Sequence, residues 1–470
     1  MLTKIPTDVL LLIFEHLDLR SLILLSGTCK GLYALLNSTT PIIASVAAQE
    51  FPLQDPATIQ STLPINVAIK QRIAKCSRFH NAWRGAQVNT KVIRQLPIAE
   101  GICMIRILPG GRFLVVIDFL EGAKFFHLET GRLVGSKSFH LISSPEMIYS
   151  IDFAGISRTT VAWGMLTSEN DAGNEGKLCA RVTLIHLPEP GEEDQTLKFE
   201  QVLEHEFHGT AEMLSISGDI VVIYTYPVDA GIDLRLSVWN WRTKEHVWYP
   251  VPWRNEHDAQ EYLLGEYQGE AYPGHPSLHA TPDVVFLIGG QLGWHRLHAD
   301  NQIEGTWGYR RAIHVPSTQE DKDELRYSSQ GRCSKQWWGY KGQSKPLKVL
   351  TFEVPNGPDS PTRKVLLDLG QHNVLNGWES SPPLFHSSRF GSKAIWLANQ
   401  ENQGPVINSI SFPPFHRQLA GAPASDIRKI ALDPAIDIIG IRAFDMDETV
   451  PLIAFAEFDK VWIVEVVPSE

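Results

Sequence analysis

Two histidine pairs stand at a spacing of three, His205 with His208 and His295 with His298. On strands that spacing sends the two rings to opposite faces, so neither pair converges on a metal ion. The chain has no Gly-x-x-x-x-Gly-Lys phosphate loop, no Gly-x-Ser-x-Gly elbow and no His-Glu-x-x-His zinc helix. The cluster Gly-Gly-Gln-Leu-Gly at 289–293 follows the apolar run "VVFLI" but lacks the helix a dinucleotide site needs, and it reads as a turn between strands. The 53 acidic residues include no pair that the sequence singles out for acid–base work. Trp337, Trp338 and Tyr340 stand beside lysines in "SKQWWGYKG", an aromatic–cation grouping that suits either an interface or packing between sheets. No catalytic, cofactor or metal site is therefore expected.

The elements that surround these residues are bounded by composition. A chain of 470 residues with 43% hydrophobic content can form one large domain and a small one. The formal charge of -11 argues against nucleic acid, whose phosphates call for a basic face. Residues 1–100 hold ten Lys/Arg against six Asp/Glu, about +4, which leaves about -15 for the remainder. Between Lys70 and Arg94 lie seven basic residues and no acidic one, either a face for an acidic partner or a solvated connector. Five scattered cysteines (Cys29, Cys76, Cys103, Cys179, Cys333) without a Cys-x-x-Cys suggest neither a disulfide nor a zinc framework, and point to a reducing compartment. With neither a signal-peptide pattern nor about 20 consecutive apolar residues, the expected location is cytoplasmic and/or nuclear, away from membranes.

The most apolar stretch is "IPTDVLLLIFEHLDLRSLILLSGTCKGLYALL", residues 5–36. Pro6 fits a first helical position and Asp8 the first turn, where a carboxylate favours the helix dipole. Val9, Leu10, Ile13, Phe14 and Leu17 share a helical face, while Leu11 and Leu12 extend the apolar surface beyond it. Asp18 can cap a second segment in which Leu22, Ile23, Leu25, Cys29, Leu32, Tyr33 and Leu36 recur at helical spacing. Gly27 divides that segment into two short helices. Such short helices cannot cover this much apolar surface among themselves, so the segment needs the rest of the chain or a second protein.

In order and spacing these residues resemble the F-box, the helical module that docks on the Skp adaptor of cullin–RING ubiquitin ligases. The matching positions are Ile5-Pro6, Asp8, Val9-Leu10, Ile13-Phe14 and Leu17, followed by Leu22, Ser26 and Cys29-Lys30. Thr28 replaces the usual Val, and Leu32 a common aromatic. The resemblance implies adaptor contacts at Ile5, Pro6, Val9, Leu10, Ile13, Phe14, Leu17, Leu22, Leu25 and Lys30. The alternative is a helical hairpin packed on its own domain.

Residues 49–90 continue as helical fragments, with Val67, Ile69, Ile73, Phe79 and Trp83 at mixed spacings, and read as a rigid connector between a module at 1–48 and a strand-rich region at 91–470. In that region apolar runs alternate with turns: "GGRFLVVIDF" before "AKFFHLETGRLV", "SGDIVVIYTY" before "LRLSVWNWRTKEHVW", "GSKAIWLANQ" before "VINSISF", and "PLIAFAEFDKVWIVEV" at the end. The turns Glu129-Thr130-Gly131-Arg132 and Arg242-Thr243-Lys244-Glu245 occupy equivalent places, with "RVTLIHLPEP" between them, for a period of about 55 residues. This suits four-stranded blades with inserted loops, and "LSVWNWRTKE" resembles the last strand and turn of a WD-type blade with Trp239-Asn240 at the Trp-Asp pair. The expected fold is multidomain α plus all-β: a small helical F-box followed by a six- or seven-bladed β-propeller, seven fitting the length better, with a β-sandwich pair or another repeat-built β domain as the alternative. The polar segments 168–177, 188–195 and 317–335 read as surface loops.

The functional expectation is a non-enzymatic substrate receptor of an SCF-type ligase, with the propeller holding a target protein. A scaffold that binds the adaptor without ubiquitin transfer is the second reading, and a propeller hydrolase the third.

Overall fold

The computed structural model describes residues 5–39, 42–43, 46–47, 65–98, 102–138, 147–169, 177–226, 235–250, 277–280, 285–288, 333–338, 345–353, 364–372, 385–387, 393–400, 404–412 and 426–467, apart from scattered positions inside those ranges. Asp18, the glycine cluster 289–293, His295, His298, Tyr340, the stretch 317–332 and much of 168–177 and 188–195 lie outside the described residues.

Among the described residues the leading helices are α1 (Thr7–Glu15), α2 (Leu19–Ser26), α3 (Lys30–Ser38) and α4 (Ile65–Ala82), and residues 42–43 and 46–47 are helical as well. Pro6 is the residue before α1 and not its first, with its carbonyl accepting the Leu10 N–H at 3.0 Å. α2 ends where the Gly27 N–H donates to the carbonyls of Ile23 and Leu24. The Cys29 sulfur caps α3 by accepting the Leu32 N–H at 3.5 Å. The break read at Gly27 thus divides two short helices, because a glycine costs helix stability and the following Cys29 opens a new cap.

The rest is built of antiparallel sheets in chain order. The first comprises β2 (Ile102–Ile107), β3 (Phe113–Asp118), β4 (Gly122–His127) and β5 (Leu133–Lys137). The second holds β6 (Met147–Ser157), β7 (Thr160–Glu169), β8 (Lys177–His186) and β9 (Lys198–His208). The third holds β10 (Thr210–Ser217), β11 (Ile220–Tyr226), β12 (Arg235–Asn240) and β13 (His246–Pro250). A pair, β14 (Ser277–Ala280) and β15 (Val285–Ile288), and a trio, β16 (Cys333–Trp338), β17 (Lys345–Glu353) and β18 (Lys364–His372), come next. Then follow β19 (Phe385–Ser387), β20 (Lys393–Gln400), β21 (Gly404–Ser411) and β22 (Arg428–Ala431), and last β23 (Ala443–Asp447), β24 (Leu452–Ala456) and β25 (Lys460–Val467).

The last unit is completed from the other end of the chain. β1 (Val88–Pro97) runs antiparallel to β25, from Asn89 opposite Val467 to Pro97 opposite Lys460, and touches β22 in parallel at Val88 and Asn89. Among the described residues the strands fall in six sheets, the largest of which joins β19–β22 to β1 and β23–β25 through the β1–β22 contact, in the manner of successive blades closed by an N-terminal strand. The fold is a helical N-terminal module followed by a β-propeller.

Among the described residues the first, second and closing blades are packed on both faces, which accounts for apolar runs without alternation. In β3, Phe113, Val115 and Ile117 pack toward the second blade, and Leu114 and Val116 toward the closing one. In β25, Trp462 and Val464 face the β19–β22 blade, and Val461 and Ile463 the first. Two carboxylates tie inner strands of neighbouring blades. Asp152 on β6 accepts the Ile216 N–H of β10 at 2.9 Å and the Ser215 hydroxyl at 3.0 Å. Asp445 on β23 accepts the Ile107 N–H of β2 at 2.6 Å and pairs with Arg106.

The turns read as equivalent share one geometry. The His127 carbonyl accepts the Gly131 N–H and the Asn240 carbonyl the Lys244 N–H, and Gly131 and Lys244 both lie in the left-handed region, φ 71° and 67°. The Asn240 side chain accepts the N–H groups of Arg242 and Thr243, both at 3.0 Å. The third strands start at residues 122, 177 and 235, which matches the period of the sequence.

Candidate functional site

The helical module has an inside and an outside, and both are apolar. Its core gathers Leu10 and Phe14 of α1, Leu19 and Leu22 of α2, Leu32 and Leu36 of α3, and Ala68, Ile69, Ile73 and Cys76 of α4. Large apolar side chains also remain in water on the three leading helices: Val9, Leu12 and Ile13 on α1, Ile23 and Leu24 on α2, and Tyr33 on α3. Exposure reaches 60% for Leu12, 62% for Ile23 and 65% for Leu24. Single exposed leucines are ordinary, but six exposed large apolar groups within some 25 residues of sequence call for a cover.

The ten residues assigned to adaptor contact from the sequence are divided by the fold. Pro6, Val9, Ile13 and Lys30 are exposed; Ile5, Leu17 and Leu25 are half-buried at the edge of the core; Leu10, Phe14 and Leu22 are buried in the module's own interior. The last three shape the module and do not reach its surface. Leu12, Ile23, Leu24 and Tyr33 were not among the ten. Ile23 and Tyr33 stand within the helical spacing read from the sequence, whereas Leu12 and Leu24 are apolar residues outside it.

α4 lies within the stretch read as a connector, and it packs into two cores. Its first half belongs to the core of the helical module, whereas Phe79, Ala82 and the following Trp83 belong to the core between the β19–β22 blade and the closing blade. The rings of Phe79 and Trp83 meet edge to face at 5.7 Å, and the buried Lys393 ammonium of β20 lies 4.9 Å from the Phe79 ring centre. Arg72 donates to the carbonyls of Gly110 at 3.1 Å and Thr449 at 3.3 Å, one in the β2–β3 turn and one in the β23–β24 turn. The Cys76 thiol donates to the same Thr449 carbonyl at 3.2 Å, and Arg428 donates to the Trp83 carbonyl. The helix is one hydrophobic element serving two cores, and it holds the module on the face of the propeller that carries these turns.

Residues 2–40 match the family model described as F-box-like. The helical module is F-box-like. Its three leading helices fall inside the matched span, while α4, which completes the core, lies beyond it. Among solved structures the chain is similar to the β-propeller domain of Myceliophteria thermophila Cps50 (Swd1), at 13% identity and a TM-score of 0.44, covering 80% of this chain and 100% of that one. A search of curated proteins finds no significant match.

Elsewhere, among the described residues no group of three or more His, Cys, Asp or Glu side chains is placed to hold a metal ion. His205 instead lies 4.3 Å from the Trp239 ring of the neighbouring blade, and that ring stacks on His246 at 3.9 Å. Burial holds both imidazoles below the usual histidine range, and the neighbouring His205 adds to that effect at His246. Among the described residues no helix is long and apolar enough to cross a membrane.

Proposed function

We propose that this chain is the substrate-recognition subunit of an SCF-type cullin–RING ubiquitin ligase. Its F-box module binds a Skp-type adaptor and its propeller holds a target protein. The carrying observation is the apolar surface of Val9, Leu12, Ile13, Ile23, Leu24 and Tyr33 on an F-box-like module whose own core is already filled. Covering a side chain such as Leu24 on a partner is worth about 1–2 kcal/mol by area, so the surface as a whole suits stable association. The docking of α4 into two cores supports the second half of the reading, because it fixes the adaptor face relative to the propeller.

The mechanism is proximity. The chain supplies no chemical step; it confines target lysines near the charged conjugating enzyme, at an effective concentration on the order of millimolar for a short tether. Reconstitution tests the reading. The full chain mixed with the adaptor, cullin, RING subunit, conjugating enzyme and ubiquitin is expected to enter one complex and to acquire ubiquitin on its own lysines in an adaptor-dependent manner. Adaptor binding without cullin recruitment would favour the scaffold reading and overturn the ligase one.

A further inference from the structure

The antiparallel meanders give the propeller two distinct faces. The β2–β3 and β23–β24 turns, to which α4 is bonded, lie on one. The β24–β25 turn at Glu457–Lys460 and the connection from β22 into β23 lie on the other, at the opposite ends of the same strands. On this far face two short segments are bonded into one unit. Glu457, 4% exposed, accepts the Asp437 N–H at 3.0 Å and the Trp462 indole N–H at 2.5 Å through one oxygen, and pairs with Lys460 at 3.0 Å through the other. The Asp437 side chain in turn accepts the Ile439 N–H at 3.1 Å and caps the single turn Ile438–Gly440.

This buried carboxylate holds up two apolar side chains instead of hiding them. Ile439 is 74% exposed, the most of any large apolar residue in the described chain, and Phe458 is 45% exposed in the partner turn. An isoleucine this exposed and a phenylalanine this exposed at turn tips are unusual, because turns of this kind are ordinarily polar. The exposed charges around them are mainly acidic: Asp433, Asp437 and Asp459 are exposed, while the cations nearby, Lys460 and Arg442, are half-buried and Lys460 is engaged by Glu457. The surrounding chain shares that sign, with about -15 outside the first 100 residues.

We propose that the turns at 433–441 and 457–460 form the docking surface for the target, and that they take a segment bearing an apolar side chain flanked by lysine or arginine. This rests on the substrate-receptor reading and deepens it. The apolar pair supplies the burial and the carboxylates select the flanking charge, a division that lets the surface refuse acidic segments of equal hydrophobicity. A target held here is on the face away from the F-box, and lysines beside its bound segment are free of the receptor.

The test uses a random-peptide display library as probe, selected on the full chain bound to its adaptor. Peptides with Leu, Ile or Phe between basic residues are expected to be enriched. Their binding should fall at least tenfold in an Ile439→Ser/Phe458→Ser variant, should weaken severalfold in Asp459→Lys, and should decline with added salt. A Leu133→Ser variant, which removes an exposed leucine elsewhere, should bind as the native chain does. Enrichment of acidic or uncharged peptides, or of peptides that bind the double variant as well as the native chain, would overturn the proposal. Adaptor binding is read in parallel on the native chain. A native chain that binds these peptides but no adaptor leaves the docking surface standing while the ligase reading falls; an intact adaptor complex that selects no such peptide sinks the surface alone.

Discussion

Replacing Trp83 by alanine tests whether α4 is part of the propeller. Trp83 is 1% exposed, meets Phe79 edge to face at 5.7 Å, and packs with Ile395, Ile430, Phe444 and Trp462 of two blades. Truncating a buried aromatic of this kind costs about 3–5 kcal/mol, and the edge-to-face contact forms part of that sum. A destabilisation of that size lowers the melting temperature of a large domain by on the order of 5–15 °C. Calorimetry of the full chain should show the strand-domain transition shifted downward by this amount. Ile73→Val, in the half of α4 that serves the F-box core, should leave that transition nearly in place and cost about 1 kcal/mol in the helical module. An unmoved strand-domain transition in Trp83→Ala would refute the shared-helix account and return α4 to a connector that rests on the propeller surface.

Two further outcomes follow from the blade junctions. Gly111→Ala should destabilise the propeller by about 2–3 kcal/mol in denaturant unfolding, because Gly111 has φ +68° and an added Cβ would lie 2.5 Å from the Val450 side chain of the closing blade. The stack of His205, Trp239 and His246 should make the native chain less stable below about pH 6.5. Both imidazoles are held below their ordinary value, so the unfolded chain takes up protons first and the stability present above the unfolded pKa is lost as pH falls. Melting temperatures between pH 7.5 and 5.5 should fall less in a His205→Gln/His246→Gln variant than in the native chain, and equal slopes would contradict this.

The strand domain was readable because a blade repeats. Equivalent turns around residues 127–132 and 240–245 put a polar side chain, a left-handed residue and a period on the page together, and the unalternating runs such as "FLVVI" state that a sheet is covered on both sides. The helical module was readable as a module. The helical spacing took in residues that fill the core, Leu10, Phe14 and Leu22, together with exposed ones, Val9, Ile13, Ile23 and Tyr33, because periodicity marks apolar faces without saying what covers them. Leu12 and Leu24 stand outside that spacing and are exposed as well, and only the packed helices distinguish the two groups. The apolar residues of α4 stand at mixed spacing because they serve two partners on different sides, and a single period does not describe them. Glu457 gave no signal in sequence, since its partners come from residues 437 and 462 through tertiary contact alone.

The central claim is that the F-box-like module presents its exposed apolar face to a Skp-type adaptor. The direct measurement is co-purification of the full chain with that adaptor, alongside Ile13→Asp/Leu24→Asp, whose substituted residues are exposed and leave the core untouched. The account predicts a one-to-one complex with the native chain and at least a hundredfold weaker binding in the variant, with an unchanged strand-domain melting transition. Adaptor absent from the native chain, or bound equally by the variant, would contradict it.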